Sequence, residues 1–180
     1  MIDILRQMTV VYWEVLCFKR LPQATPSSPL MLGIAVGLTL LTSLLKIVFM
    51  GADNSSVLFT IVHIPLFALY AWFVLWTNKA TGGFLQLMIC WLMMLFFLNV
   101  LSSLTVGGLM TLSLLGLSNA ITNIIGTLEI ILVIVFSLWQ VTYVVNLFRA
   151  FLQQGFFVIF MVYMGWLGVN YLFFMAWQSI

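Results

Sequence analysis

The chain has 180 residues, is 64% hydrophobic and only 6% charged, and carries a net charge of +2. A soluble domain has roughly 25% charged residues, so lipid is the solvent for most of this surface, in keeping with a mean hydropathy of +1.24. Six Lys and Arg in all, without a cluster, exclude a nucleic-acid partner.

The first twenty residues hold Asp3, Arg6, Glu14, Lys19 and Arg20. They lack the uninterrupted apolar core and small-residue cleavage site of a signal peptide, so the first true span is expected to drive insertion. Residues 2–19 read as an amphipathic helix, with Ile2, Leu5, Met8, Thr9, Tyr12 and Leu16 on one side and Asp3, Arg6, Gln7 and Glu14 on the other. Such a helix lies in the membrane interface, or packs on the cytoplasmic end of its own protein. Residues 20–29 form a linker with three prolines, ending in Ser28 as helix cap and Pro29 at the first helical position.

Five apolar runs follow, at about 30–50, 57–76, 84–104, 122–147 and 156–177. The chain thus divides into a cytoplasmic helix and linker, 1–29, and a five-span membrane domain, 30–180. Uniform apolar runs without period-two alternation exclude a barrel, so the expected fold is an all-α bundle of five transmembrane helices with an N-terminal interfacial amphipathic helix. Residues 105–121 contain no charge and are too apolar for an ordinary loop. They prolong the third span, form an interfacial, re-entrant or broken helix (the expectation taken here), or cross separately, giving six spans. With five, Arg6, Lys19, Arg20, Lys79 and Arg149 fall on one side and Lys46 alone towards the other. The positive side is the cytoplasm. That places the N-terminus inside and the C-terminus outside, consistent with a bacterial inner membrane.

Glu129, within the fourth span, is the first candidate for chemistry, because a carboxylate at the membrane centre costs about 2.5–3.5 kcal/mol and usually faces protein or water. It shares a helix face with Asn119, Thr122, Gly126, Ser137 and Gln140, with Asn123 at the margin. This stripe is expected to turn inward, as an interhelical seam in which Glu129 pairs with Lys46, or as a proton or substrate pathway. His63, the only histidine, has no partners for a metal or haem site and reads as a helix-packing residue. Pro65, two residues on, should kink its helix. Gly33 and Gly37 form a Gly-x-x-x-Gly that permits close helix approach, while Gly165 and Gly168 give a weaker signal of the same kind. Cys17 and Cys90 have neither metal-ligand nor redox spacing. No phosphate-binding loop, His-Glu-x-x-His or Ser-His-Asp set is present, so no catalytic residue and no cofactor are expected.

Two local marks stand out. One is Phe18-Lys19-Arg20-Leu21-Pro22-Gln23 with Pro26-Ser27-Ser28-Pro29 ahead of the first span. The other runs from Trp139 to Asn146-Leu147-Phe148-Arg149-Ala150 at the junction of spans four and five. With a cytoplasmic N-terminal segment and five spans, this order resembles the Yip family, five-span membrane proteins that interact with small Rab-type GTPases in eukaryotes, and their short bacterial relatives. The longer polar N-terminal domain of the eukaryotic members is missing. The resemblance implies a non-enzymatic scaffold, assembly or partner-binding factor, with other membrane proteins or a second copy as partners besides the bilayer, and it supplies no catalytic residues. A subunit of a larger respiratory or secretion complex is the next reading. A small transporter using the Glu129 stripe is third, since five spans do not divide into two inverted repeats.

Overall fold

The computed structural model describes residues 2–50, 54–113 and 119–178. Helix α1 spans Ile2–Leu16, α2 Pro29–Met50, α3 Asn54–Thr77, α4 Phe84–Ser113, α5 Asn119–Leu152 and α6 Phe156–Gln178. Helices α2 to α6 are the five that are long and apolar enough to cross a membrane. The described residues form no strand. The protein is a multi-pass integral membrane protein with an all-α fold.

Helix boundaries follow local chemistry. Ser28 caps α2 as expected: its Oγ accepts from the Met31 N–H at 3.2 Å, with Pro29 next in line. Helices α1, α3 and α5 end with Phe18, Lys79 and Gln153 in the left-handed region. After α1 and α3 this conformation lets the following N–H groups, Lys19 to Glu14 O and Ala80 to Leu75 O, close the last turn. Helix α3 runs on through Pro65.

The expected interruption at 105–121 is not present in its first half. Residues 105–113 continue α4, residues 114–118 lie outside the described residues, and α5 has begun by 119. Apolar surroundings supply no other partners for backbone groups, which favours continued helix despite Gly107 and Gly108. The hydroxyls of Thr105 and Thr111 bond back to the Leu101 and Gly107 carbonyls and stay out of competition with the helix.

Helices α2, α4 and α6 begin at one end of the bundle, here the lower end, where α3 and α5 finish. Helix α4 is central. It packs along α2 and α5, and Leu87 to Met94 are all buried. The core there is aromatic: Phe67 of α3 stacks on Trp91 with ring centres 3.8 Å apart, and Trp166 of α6 meets Phe67 edge-on at 4.9 Å. Contacts across the bundle fix the relative heights. Thr39 meets the Leu92 carbonyl, Thr42 lies near Asn99, and Tyr143 meets the Cys90 carbonyl. Carried along at 1.5 Å per residue, they put the top of α2 level with about Thr105 of α4 and the region of Glu129 in α5. The α4–α5 hairpin then extends about 12 Å beyond α2.

The last turns of the amphipathic helix are docked on the bundle, beside α4 and α5. Tyr12, Val15 and Leu16 are buried, Trp13 packs edge-on against Phe97 and Trp139, and Trp139 Nε1 donates to the Leu16 carbonyl at 3.2 Å. The side chains of Ile2, Leu5 and Met8 lie outside the described residues. Burial pushes the Tyr12 hydroxyl up to about 12, so it stays a donor to the Pro26 carbonyl, 2.6 Å away.

Candidate functional site: a polar cavity around Lys46

The polar seam that joins helices lies on α2. Thr39, Thr42 and Ser43 are buried, and one turn above Ser43 the same face carries Lys46. Thr39 Oγ1 is within 2.8 Å of its own helix's Ala35 carbonyl and 3.0 Å of Leu92 O on α4. Asn99 of α4 approaches Thr42 within 3.5 Å, and Ser43 Oγ reaches Thr60 of α3 at 3.3 Å. Small hydroxyl side chains allow this close packing and leave no unpaired donor at the contact.

Above this seam the helices part around Lys46. One open cavity, of about 560 Å³, is bounded by Lys46, Ser43, Thr60, His63, Asn99 and Gln140, with Phe59, Phe174 and Trp177 on its apolar side. A second, of about 250 Å³, shares Lys46, Leu95, Asn99 and Gln140 and adds Ser102 and Ser137. Side chains from all five spans therefore converge around one ammonium. The only ion pair among the described residues is Arg20 with Glu14, at 3.5 Å, near the lower end. No described carboxylate reaches Lys46.

His63 is held in place by an amide and three aromatic rings. Asn170 Nδ2 donates to the Trp166 carbonyl at 3.2 Å, which turns Asn170 Oδ1 towards His63 Nε2 at 2.6 Å. An amide oxygen only accepts, so Nε2 carries the proton. Phe59, Trp91 and Trp166 surround the ring at centre distances of 5.2 to 5.7 Å. No group of three His, Cys, Asp or Glu side chains able to hold a metal ion occurs among the described residues.

The structure divides the stripe expected on α5. Ser137 and Gln140 reach the cavity beside Lys46, but Glu129 lines neither cavity, and Thr122 and Asn123 are exposed. The side chain of Asn119 lies outside the described residues. Glu129 is half-buried and stands level with the top of α2, away from the bundle's middle. The expected pair between Glu129 and Lys46 does not form. Glu129 stands higher on α5 than Ser137 and Gln140, the residues of the stripe that line the cavities with Lys46. Of the two uses of Gly33 and Gly37, packing within the chain or on a partner, the first is not seen: both are exposed, and a Cβ on either would meet nothing within 4 Å. Close approach occurs instead at Gly165, where a Cβ would sit 2.8 Å from the Tyr70 hydroxyl, and at Gly83, where it would overlap the Phe151 ring. Both cysteines are free thiols, Cys90 buried and Cys17 half-buried.

Sequence reasoning singled out Lys46, His63, Ser137 and Gln140 but missed Ser43, Thr60, Asn99 and Asn170. The missed signal was Thr39, Thr42, Ser43 and Lys46 at helical spacing on one face. No family model, no curated protein and no solved structure matches this chain.

Proposed function

We propose that this protein is a non-enzymatic partner-binding or assembly factor of the membrane, and that the cavity around Lys46 receives a carboxylate carried by a transmembrane helix of its partner. The observation that carries the reading is an intramembrane ammonium that no described carboxylate reaches, in a cavity open to the outside of the bundle. An uncompensated cation at this depth is costly, and a partner acid offsets that cost only in the complex. Asn99, Gln140 and Ser43 add neutral hydrogen-bonding groups around a bound carboxylate, and Phe174 and Trp177 offer an apolar wall to the helix bearing it. The open Gly33 and Gly37 face of α2 suits close packing of a further helix.

The Yip resemblance points to the same class, a membrane protein that acts by binding. Arg20, Lys79 and Arg149 gather at the lower end, which by the positive-inside rule is cytoplasmic, and the C-terminus is then outside. The test is purification from native membranes in mild detergent with quantitative mass spectrometry. Wild type and Lys46→Arg should enrich the same membrane protein and Lys46→Met should lose it. Equal recovery with all three would refute the reading.

A further inference from the structure

A third cavity, at the opposite end of the molecule, has a different chemistry. It is about 460 Å³ in volume and opens between the segment after α1 and the last turns of α5. Arg20 enters it from the first element and Arg149 from the second, with Asn146 between helix turns and Phe18, Leu21 and Tyr143 as its apolar walls. The two arginines are 129 positions apart in sequence and are brought together by built contacts. Gln23 donates to the Ala150 carbonyl, and Gln86 of α4 donates to the Thr25 carbonyl at 2.8 Å and to Gln23 O at 3.2 Å. These bonds clamp the linker to the ends of α4 and α5. Arg20 is engaged by Glu14 through a single 3.5 Å contact in which both side chains are about two-fifths exposed, and no described carboxylate pairs with Arg149. The cavity thus keeps a net positive charge with donors to spare.

We propose that this cavity binds the phosphate of an anionic phospholipid headgroup. Guanidinium groups present paired N–H donors that match phosphate oxygens. Arg149 lies in the last turn of a membrane span, which is the height of the headgroups. Phe18, Leu21 and Tyr143 give the cavity apolar walls that suit the start of the acyl chains. Free inorganic phosphate shares the headgroup chemistry but has no use for the apolar walls, and this separates the two sources. The inference does not depend on the partner proposed for Lys46.

The test uses the full chain purified in detergent and titrated with phosphatidylglycerol or phosphatidylcholine, with bound lipid counted by native mass spectrometry. Phosphatidylglycerol should be retained in preference to phosphatidylcholine. Arg149→Gln and Arg20→Gln should each weaken it about fivefold, while Arg149→Lys keeps part of the affinity. Millimolar inorganic phosphate should leave lipid binding unchanged. Circular dichroism and elution volume identical to wild type keep misfolding from mimicking the loss. Equal retention of the two lipids, or of phosphatidylglycerol by wild type and both glutamine variants, overturns the proposal. Displacement of the lipid by inorganic phosphate overturns the lipid assignment.

Discussion

Lys46→Met should act in opposite directions on the isolated protein and on its complex. On insertion scales a lysine at the centre of a membrane helix costs about 2.5–3.5 kcal/mol. Lys46 stands four residues below the last residue of α2, about 6 Å, so its chain reaches towards the interface and roughly half of that cost remains. Methionine has a similar length and no charge. The isolated variant should therefore gain about 1–2 kcal/mol and melt about 3–6 °C higher, followed by tryptophan fluorescence in mild detergent. Breaking a buried ion pair costs about 3–5 kcal/mol, so partner affinity should fall by at least about 100-fold. Lys46→Gln should show both effects at smaller size. A fall in melting temperature for the isolated methionine variant would refute the reasoning, since it would mean that the chain itself compensates the ammonium.

Substitutions at Glu129, Gly165, Gly33 and Asn170 separate the remaining assignments. Glu129→Leu should leave partner recovery unchanged and stability equal or slightly higher, because Glu129 lines neither cavity beside Lys46; loss of partner or of a flux phenotype with Glu129→Gln would restore the pathway reading. Gly165→Ala should cost about 1–2 kcal/mol by pushing the Tyr70 hydroxyl off the Val162 carbonyl. Gly33→Ala, on an open face, should stabilise the isolated chain by up to about 1 kcal/mol, and thermal melts of the pair read the contrast. Asn170→Leu leaves the His63 Nε2–H unpaired and should cost about 1–3 kcal/mol. Adding His63→Phe should recover most of this, since the ring would join Phe59, Trp91 and Trp166; a double mutant no better than the single would show that the histidine has another role.

Much of the architecture was legible because membrane helices are selected by length and polarity, which composition displays directly. The five apolar runs coincide with α2 to α6, and Ser28-Pro29 starts α2 as its capping chemistry requires. Residues 105–113 continue α4 because in an apolar setting the helix is the only way to pair the backbone, and their lack of charge does not show where one helix stops. The site was harder. Burial of a polar face depends on which neighbour packs there, and one sequence does not state that α2 rather than α5 turns its polar side to α4. Thus the sequence makes Glu129 the centre of the seam and Lys46 its partner, when the hydroxyls of Thr39, Thr42 and Ser43 form the seam and Lys46 crowns it. The glycines show the same limit: Gly33 and Gly37, the stronger motif, face open space, while Gly165, from the weaker pair, meets Tyr70.

The most direct test of the account is photocrosslinking in native membranes from a reactive amino acid at Leu95, a residue that lines both cavities beside Lys46. The crosslinked position should fall within one turn of an Asp or Glu in a transmembrane segment of another chain, and the product should vanish with Lys46→Met and persist with Lys46→Arg. Crosslinks only to lipid, or to a protein segment without an acidic residue and regardless of the side chain at 46, would contradict the account.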